Sequence, residues 1–575
     1  MNFFEDEKKL ELFEQIQKNL CSLELNTSDF QINKLIEQIP EELLNQKEDL
    51  MIICELFAIY ARSHSQTKKR NIFKLFEGIM DSIKTYLYDE STFFWTIFGG
   101  LFYFKLWFYE IGLISIEKII CAAKKDKLHS IAEYFFPEII EKEPELFENE
   151  IKHEIQCSYS HDDIEKFKEL RKKHLKWICE SGDFKDPLFK EIETDPIRYS
   201  ILTDDLNLFQ GLISNSNFNL NSKIKESLIL NSHRRYDEQS LFEFALEYNA
   251  VAISKYLILN NVEYTNGIYY SVTTSGNYEL IHLIETKYPQ NFPEYMIFST
   301  ISQWNSDMTE YLLNNYNFDF LEKVDNSNEN TQKILNIIQS TFSYVNFEFL
   351  RHTILPFLRK NPKFVEDNIN EIVNLTFAEK TGFLTKEFVK HPNFDVNFYS
   401  EENNQSILGK CILDENLKAI EILLKDPNID INKHAANKFP PLMVAVGNYS
   451  DIKVIDMICN HKDVDINKRD ERYNINSFEL SVSRGNIYSC KYFIDNIQNL
   501  DVNSFGCLFF FTLKSRYLST LRVVLNYYLN LNKKEEYENI VSQIKVFSFI
   551  NEYKEEYLDD FKQVYDELTH NSSAD

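Results

Sequence analysis

Glycine and proline are scarce, at 13 each in 575 residues, well below ordinary usage. So few turn-formers exclude a loop-rich β-protein and favour many helices joined by short connections. Nine cysteines are scattered without a C-x-x-C pair. With no apolar export signal in the opening "MNFFEDEKKLELFEQ", they read as buried, reduced thiols in a cytoplasmic protein rather than a disulfide framework. Positive charge is also in short supply: 62 Lys and Arg face 89 Asp and Glu, a net charge of −27. That balance repels nucleic acid and anionic lipid, so no nucleic-acid partner is expected. The basic runs "KKR" at 68–70 and "RKKHLK" at 171–176 are short and flanked by acids, and are expected to be solvated helix faces.

Long hydrophobic runs are missing too. The strongest candidate, "FFWTIFGGLFYFKLWFY" at 93–109, reaches Lys105 after twelve uncharged residues, short of the roughly 20 that cross a bilayer. Gly99 and Gly100 in its middle weaken a continuous helix. A buried helix or helix pair is the expectation, with no transmembrane segment and peripheral membrane contact disfavoured.

Catalytic signatures are absent from the sequence. No G-x-x-x-x-G-K-[ST], G-x-G-x-x-G or G-x-S-x-G occurs. His153, Cys157 and His161 stand at four-residue steps along one helical line, whereas zinc needs tetrahedral closure from a second element. His153-Glu154 lacks the second His of H-E-x-x-H, and Cys459 with His461 has no matching pair. "DVDINKRDERYN" has Lys468 where a calcium loop needs glycine and Asn474 where it needs glutamate. Acid pairs such as Asp204-Asp205 are expected to be solvated surface. No enzyme activity, cofactor or metal is expected.

What the sequence does contain is a period. Asp395-Val396-Asn397, Asp430-Ile431-Asn432, Asp465-Ile466-Asn467 and Asp501-Val502-Asn503 are 35, 35 and 36 residues apart. A fixed spacing in this range marks a stacked repeat. A second pattern shares the rhythm. Counting from Pro440, offsets two, five, six, seventeen and eighteen give Leu442, Ala445, Val446, Met457 and Ile458. Frames from Asp195, Ser240, Asn266, Tyr295, Glu371, Ser406, Asn476 and Cys507 also place a small residue at offset five; one from Gln332 puts Ile337 there. The offsets define a helix-turn-helix unit in which the small residue lets neighbouring helices approach. Ser240, Ser406 and Asp195-Pro196 are helix-start residues, and Asn249, Asn416 or Gly485 are expected to take left-handed backbone between the helices. Contracted spacings of 26 and 29 between the frames at Ser240, Asn266 and Tyr295 suggest copies without an extended hairpin.

"PPLMVAVGNYSDIKVIDMI" and "NSFELSVSRGNIYSCKYFI" resemble degenerate ankyrin repeats, whose usual opening is T-P-L-H-x-A. The resemblance covers about residues 195–530. Met443, Gly409, Glu243 and Arg198 replace the motif's His, so the Thr–His pairing of the family is absent and stacking is expected to lean on apolar contact. The stretch at 111–147, followed by "DPIRYSILTDDLNLFQGLI", is similar to divergent ankyrin-type proteins expanded in some protist parasites, where a helical leader precedes the repeats. The resemblance implies an all-α protein: an α-solenoid of helix-turn-helix repeats preceded by an N-terminal helical domain.

Four parts are expected: a helical domain at 1–150, a charged helical connector at 151–193, the array at 194–530 with about ten repeats and an insertion near 222–238, and a C-terminal helical cap and tail at 531–575. The function expected of such a chain is a scaffold binding a protein partner. The alternative is an adaptor that recruits a substrate while its N-terminal domain docks on an enzyme complex or membrane surface. Variable, charged links are the places for contact, and the candidate residues are Lys433, His434, Lys438, Lys468, Arg469, Asp470, Glu471 and Arg472.

Overall fold

A computed structural model describes residues 7–500 except 24–26, 63–65, 89, 100, 126–129, 148–160, 215–217, 226–237, 289–292, 294, 316–327, 377–387, 401–403, 437, 449, 471–473 and 498, and also 520 and 523. The expected cap at 531–575, the frame from Cys507, Asp501-Val502-Asn503 and most of "HEIQCSYSH" lie outside the described residues. Helix predominates in what is described, and two short antiparallel strand pairs interrupt it. The pair Lys223–Lys225 with Glu238–Ser240 brackets the expected insertion, and Tyr399–Ser400 pairs with Gln405–Ser406.

The chain groups into two compact units, each built from separate stretches of sequence: 1–115 with 159–394, and 116–158 with 395–575.

In the first unit the aromatic segment forms the helices Ser91–Ile97 and Phe102–Glu110, broken at Gly99, whose φ of +50° glycine accommodates without a Cβ clash. Phe94, Ile97, Phe98, Phe104 and Phe108 are fully buried, and Lys105 lies 4.2 Å from the Trp95 ring centre. The segment is therefore core, held by stacked rings such as Phe98–Phe104 at 4.3 Å.

The two basic runs depart from expectation in part: Lys172 and Lys176 are exposed, but other members are not. Helices Gln66–Gly78 and His161–Glu180 pack on each other, turning Lys69, Arg171 and His174 inward to 4%, 3% and 1% exposure. His174 stacks on Trp177 and meets the edge of Tyr103. Burial, aided by the Lys69 charge, lowers its pKa to about 3, so the ring is neutral. Long basic side chains bury their stems readily, and charge composition alone does not reveal which of them do.

The repeat frames correspond to helix pairs. Ser240, Ser406 and Asn476 are N-caps of Leu241–Glu247, Ile407–Leu413 and Ser477–Ser483, and Asp195 caps Pro196–Leu202. Ser240–Glu243 and Asn476–Glu479 form reciprocal capping boxes. The small-slot residues Ser200, Ala245, Ser271, Thr300, Cys411, Ala445 and Ser481 are all buried. First helices pack on first helices: Leu241–Glu247 on Gly267–Ser275 on Tyr295–Ser302, and Ile407–Leu413 on Pro441–Gly447 on Ser477–Ser483. Second helices do likewise, Leu417–Leu424 on Ile452–Cys459 on Ile487–Asn496. The frames at Gln332 and Glu371 differ. Both residues lie inside helices, Asn328–Ser343 and Pro362–Thr376, rather than at caps.

Left-handed backbone stands between paired helices at Asp204, Asn249, Gly276, Trp304, Val345, Glu415 and Gly485. Asn416, expected in that role, has φ −81° and caps the second helix instead, its Oδ1 accepting from Ala419 N. Its neighbour Glu415 carries the turn.

Candidate functional site

The links between helix pairs carry the Asp-x-Asn signal, and the geometry shows what it does. Each Asp side chain closes a local turn, accepting from the Asn backbone two residues on: Asp395 from Asn397 at 2.9 Å, Asp430 from Asn432 at 3.0 Å, Asp465 from Asn467 at 3.1 Å. Each Asn side chain then reaches the next link. Asn397 Oδ1 accepts from Asp430 N and its Nδ2 donates to Asn428 O, both at 2.8 Å. Asn432 repeats the pattern with Asp465 N at 2.8 Å and Asp463 O at 2.7 Å, and Asn467 Nδ2 donates to Asn499 O at 2.7 Å. The result is a ladder of amides running from link to link.

A Lys rung lies beside it. Lys468 Nζ donates to Asn432 O at 2.7 Å, and Lys433 Nζ to Asn397 O at 3.4 Å. Arg469 forks onto Glu479, Nη1 to Oε2 at 2.9 Å and Nη2 to Oε1 at 3.1 Å, while Nη1 also donates to Asn474 O. Glu479 is itself buried and caps Asn476 N at 3.0 Å. Asp470, also buried, accepts from Ile475 N. Thus Lys433, Lys468, Arg469 and Asp470 are occupied within the chain. Lys438 is exposed at φ +67°, in the turn that closes 436–439, and His434 is half-buried with its Nδ1 unpartnered. Glu471 and Arg472 lie outside the described residues. The eight candidates are thus not equivalent: four hold the links together, and Lys438 presents its charge to solvent.

A close approach fixes the hairpin side. Ala435 O accepts from Ser406 N at 2.6 Å, and a Cβ at Gly409 would collide with that same carbonyl. Gly409 stands where the ankyrin motif has His, and here the absence of a side chain admits the link.

Other ties were not anticipated. Asn219-Leu220-Asn221 is a further copy of the signal: Asn219 Oδ1 accepts from Asn221 N, and Asn221 Oδ1 accepts from Glu263 N 42 residues on, both at 2.9 Å. Its first residue is Asn rather than Asp, and an exact-tripeptide search passes over it. Asp204, expected to be solvated, caps the second helix of the following pair by accepting from Ala252 and Ile253 N–H at 3.0 and 3.1 Å. At the helix-to-helix turns Asn486 Nδ2 donates to Val446 O, Asn448 to Leu413 O and Asn346 to Ile301 O, each crossing to the preceding pair. Asn305, Asn416 and Asn486, whose side chains cap their second helices by accepting from Met308, Ala419 and Ser489 N–H, all fall ten residues after their frame's first position, a recurrence that was available in the sequence.

In the second unit, helix Ile116–Lys125 reaches the turns at Glu415 and Gly485. Lys118 forms a buried ion pair with Glu415, and Lys124 Nζ donates to Gly485 O at 2.8 Å.

Three of the described thiols have little nucleophilic capacity. Burial, then Glu55, raises the Cys54 pKa, and burial raises Cys179 and Cys459 to about 12. Cys411 and Cys490 are also buried, whereas Cys21 is exposed, unlike the general expectation. Among the described residues no helix is long and apolar enough to cross a membrane. No protein-family model matches this chain, and no curated protein matches it either.

Proposed function

We propose that the chain is a non-enzymatic scaffold, an ankyrin-type α-solenoid that binds a protein partner in the cytoplasm. The observation that carries this reading is the Asn ladder. It repeats one polar tie at every link from Asn397 to Asn499, which holds helix pair to helix pair in a common register. Stacked pairs offer an extended surface built from equivalent positions, which suits recognition of another protein. Raised thiol pKa values at Cys54, Cys179 and Cys459 also favour a binding role over nucleophilic catalysis. Burial of most of the aromatic segment at 93–109 favours this reading over an N-terminal domain that docks through that segment.

Full-length chain used as bait, compared with a Lys438→Asn, His434→Ala variant, tests the reading. Asn tolerates the left-handed turn, so the helix content and melting of the variant should match wild type. The expected outcome is a specific protein retained by wild type and lost or strongly weakened in the variant. A chain that retains no protein at all would sink the scaffold reading.

A further inference from the structure

The second helices Tyr278–Lys287 and Ser306–Asn315 together carry aromatic rings and carboxylates. The Tyr278 and Tyr311 rings meet edge to face with centres 6.2 Å apart, and His282 meets Tyr311 in the same way at 6.2 Å. Glu285 sits among them, accepting from Tyr311 Oη at 2.7 Å and lying 2.9 Å from His282 Nδ1. Asp307 is exposed and stands four residues before Tyr311 on the same helix, so the two share a face; burial and then the Asp307 charge raise the Tyr278 pKa. Tyr278 is nevertheless 39% exposed, and the His282 side chain 62%. Charge across the stretch is one-sided. Residues 238–315 hold nine Asp or Glu, two Lys and no Arg. Both lysines are engaged, Lys255 with Glu279 at 2.5 Å and Lys287 with Asn261 Oδ1 at 2.9 Å.

Resting on the scaffold reading, we infer that the face formed by helices Tyr278–Lys287 and Ser306–Asn315 recognises an arginine-bearing segment of a partner protein, stacking a guanidinium on Tyr278 and pairing it with Asp307. Two features select arginine over lysine. The guanidinium is planar and weakly hydrated, so it stacks on a tyrosine face at lower desolvation cost than an ammonium. Its fork also fits a carboxylate beside the ring, where an ammonium makes only a point contact. Exposed tyrosine is furthermore a residue enriched at interface anchors. RNA and anionic lipid are excluded as occupants by the sign of the local charge.

Binding of a fluorescent alternating Arg-Gly decapeptide to the full-length chain, followed by anisotropy, tests this, with a Lys-Gly decapeptide of equal charge as comparison. The Arg peptide should bind about tenfold more tightly than the Lys peptide. Tyr278→Ala and Asp307→Asn should each abolish that preference, Tyr278→Phe should keep it, and Tyr86→Ala, at an exposed tyrosine elsewhere, should leave it intact. Circular dichroism of each variant confirms that the fold is retained. Equal affinity for the two peptides, or a preference that survives both Tyr278→Ala and Asp307→Asn, overturns the inference and leaves only non-specific attraction to a chain of net charge −27. A wild-type chain that captures its protein partner yet ignores the Arg peptide overturns this surface alone. Failure to capture any protein strikes the scaffold reading itself.

Discussion

At the scale of single residues, Asn432 is the clearest case of one side chain serving two neighbours. It accepts from Asp465 N and donates to Asp463 O, so Asn432→Ala leaves both groups to water. The expected cost is about 1–2 kcal/mol in urea denaturation, accompanied by loss of amide-exchange protection at Asp465. Gly409→Ala should cost more, about 1–3 kcal/mol, because a methyl group there meets a backbone carbonyl that cannot swing aside. Glu14 offers a pH-dependent test. Burial alone would raise its pKa, but hydrogen bonds from Lys18, His352 and Arg351 prevail and bring it down from 4.5 to about 2. A carboxyl lowered on folding adds stability that is complete above its ordinary value and disappears as pH falls through the folded one. Acid unfolding of wild type between pH 4.5 and 2 should therefore be steeper than that of Glu14→Gln, which has no such proton to take up.

At the scale of elements, the helix pairs were legible in the sequence and the ties between them only partly so. Small residues at offset five announced Ala445, Ser481 and Cys411 because close helix packing tolerates few residue types there, and all three are buried. Ladder membership is harder to read, since an Asn that bonds backbone imposes no apolar pattern. The tripeptide gave away three rungs by repetition, while Asn221 hid behind one changed letter. Charge was read least well. Lys69, Arg171 and Asp204 carry the same letters as solvated residues, and their roles depend on which helix faces them. The ion pair of helix Ile116–Lys125 with Glu415 joins partners 297 residues apart, beyond any local pattern. Lys118→Met takes the ammonium from a buried carboxylate and should cost about 3–5 kcal/mol in thermal or urea unfolding. Adding Glu415→Asn, which keeps the left-handed turn, should recover much of that loss.

At the scale of the whole chain, each compact unit is assembled from two separated stretches. The second unit gathers 116–158 with 395–575, so its opening helices are synthesised long before the residues they pack against. A chain ending at 394 lacks Glu415 and Gly485, and the apolar positions Ile119, Ile120, Phe135 and Phe136 lose the rest of their unit. The expected outcome is faster amide exchange across 116–142 in that truncation, with binding of a hydrophobic dye, while protection across 241–302 persists. Equal protection of 116–142 in both chains would show that these helices fold without the C-terminal stretch.

The ladder and the strap across the turns respond differently to a change in repeat number. Excising 432–466 would set Asp430-Ile431 directly before Asn467 and regenerate an intact rung, so the ladder itself is indifferent to how many copies it joins. Helix Ile116–Lys125 is not indifferent. It grips Glu415 at one turn and Gly485 at another, 70 residues or two full periods further on. That helix works as a gauge: it fits an array of one length, and gain or loss of a copy between its two grips would carry one of those two contacts out of reach.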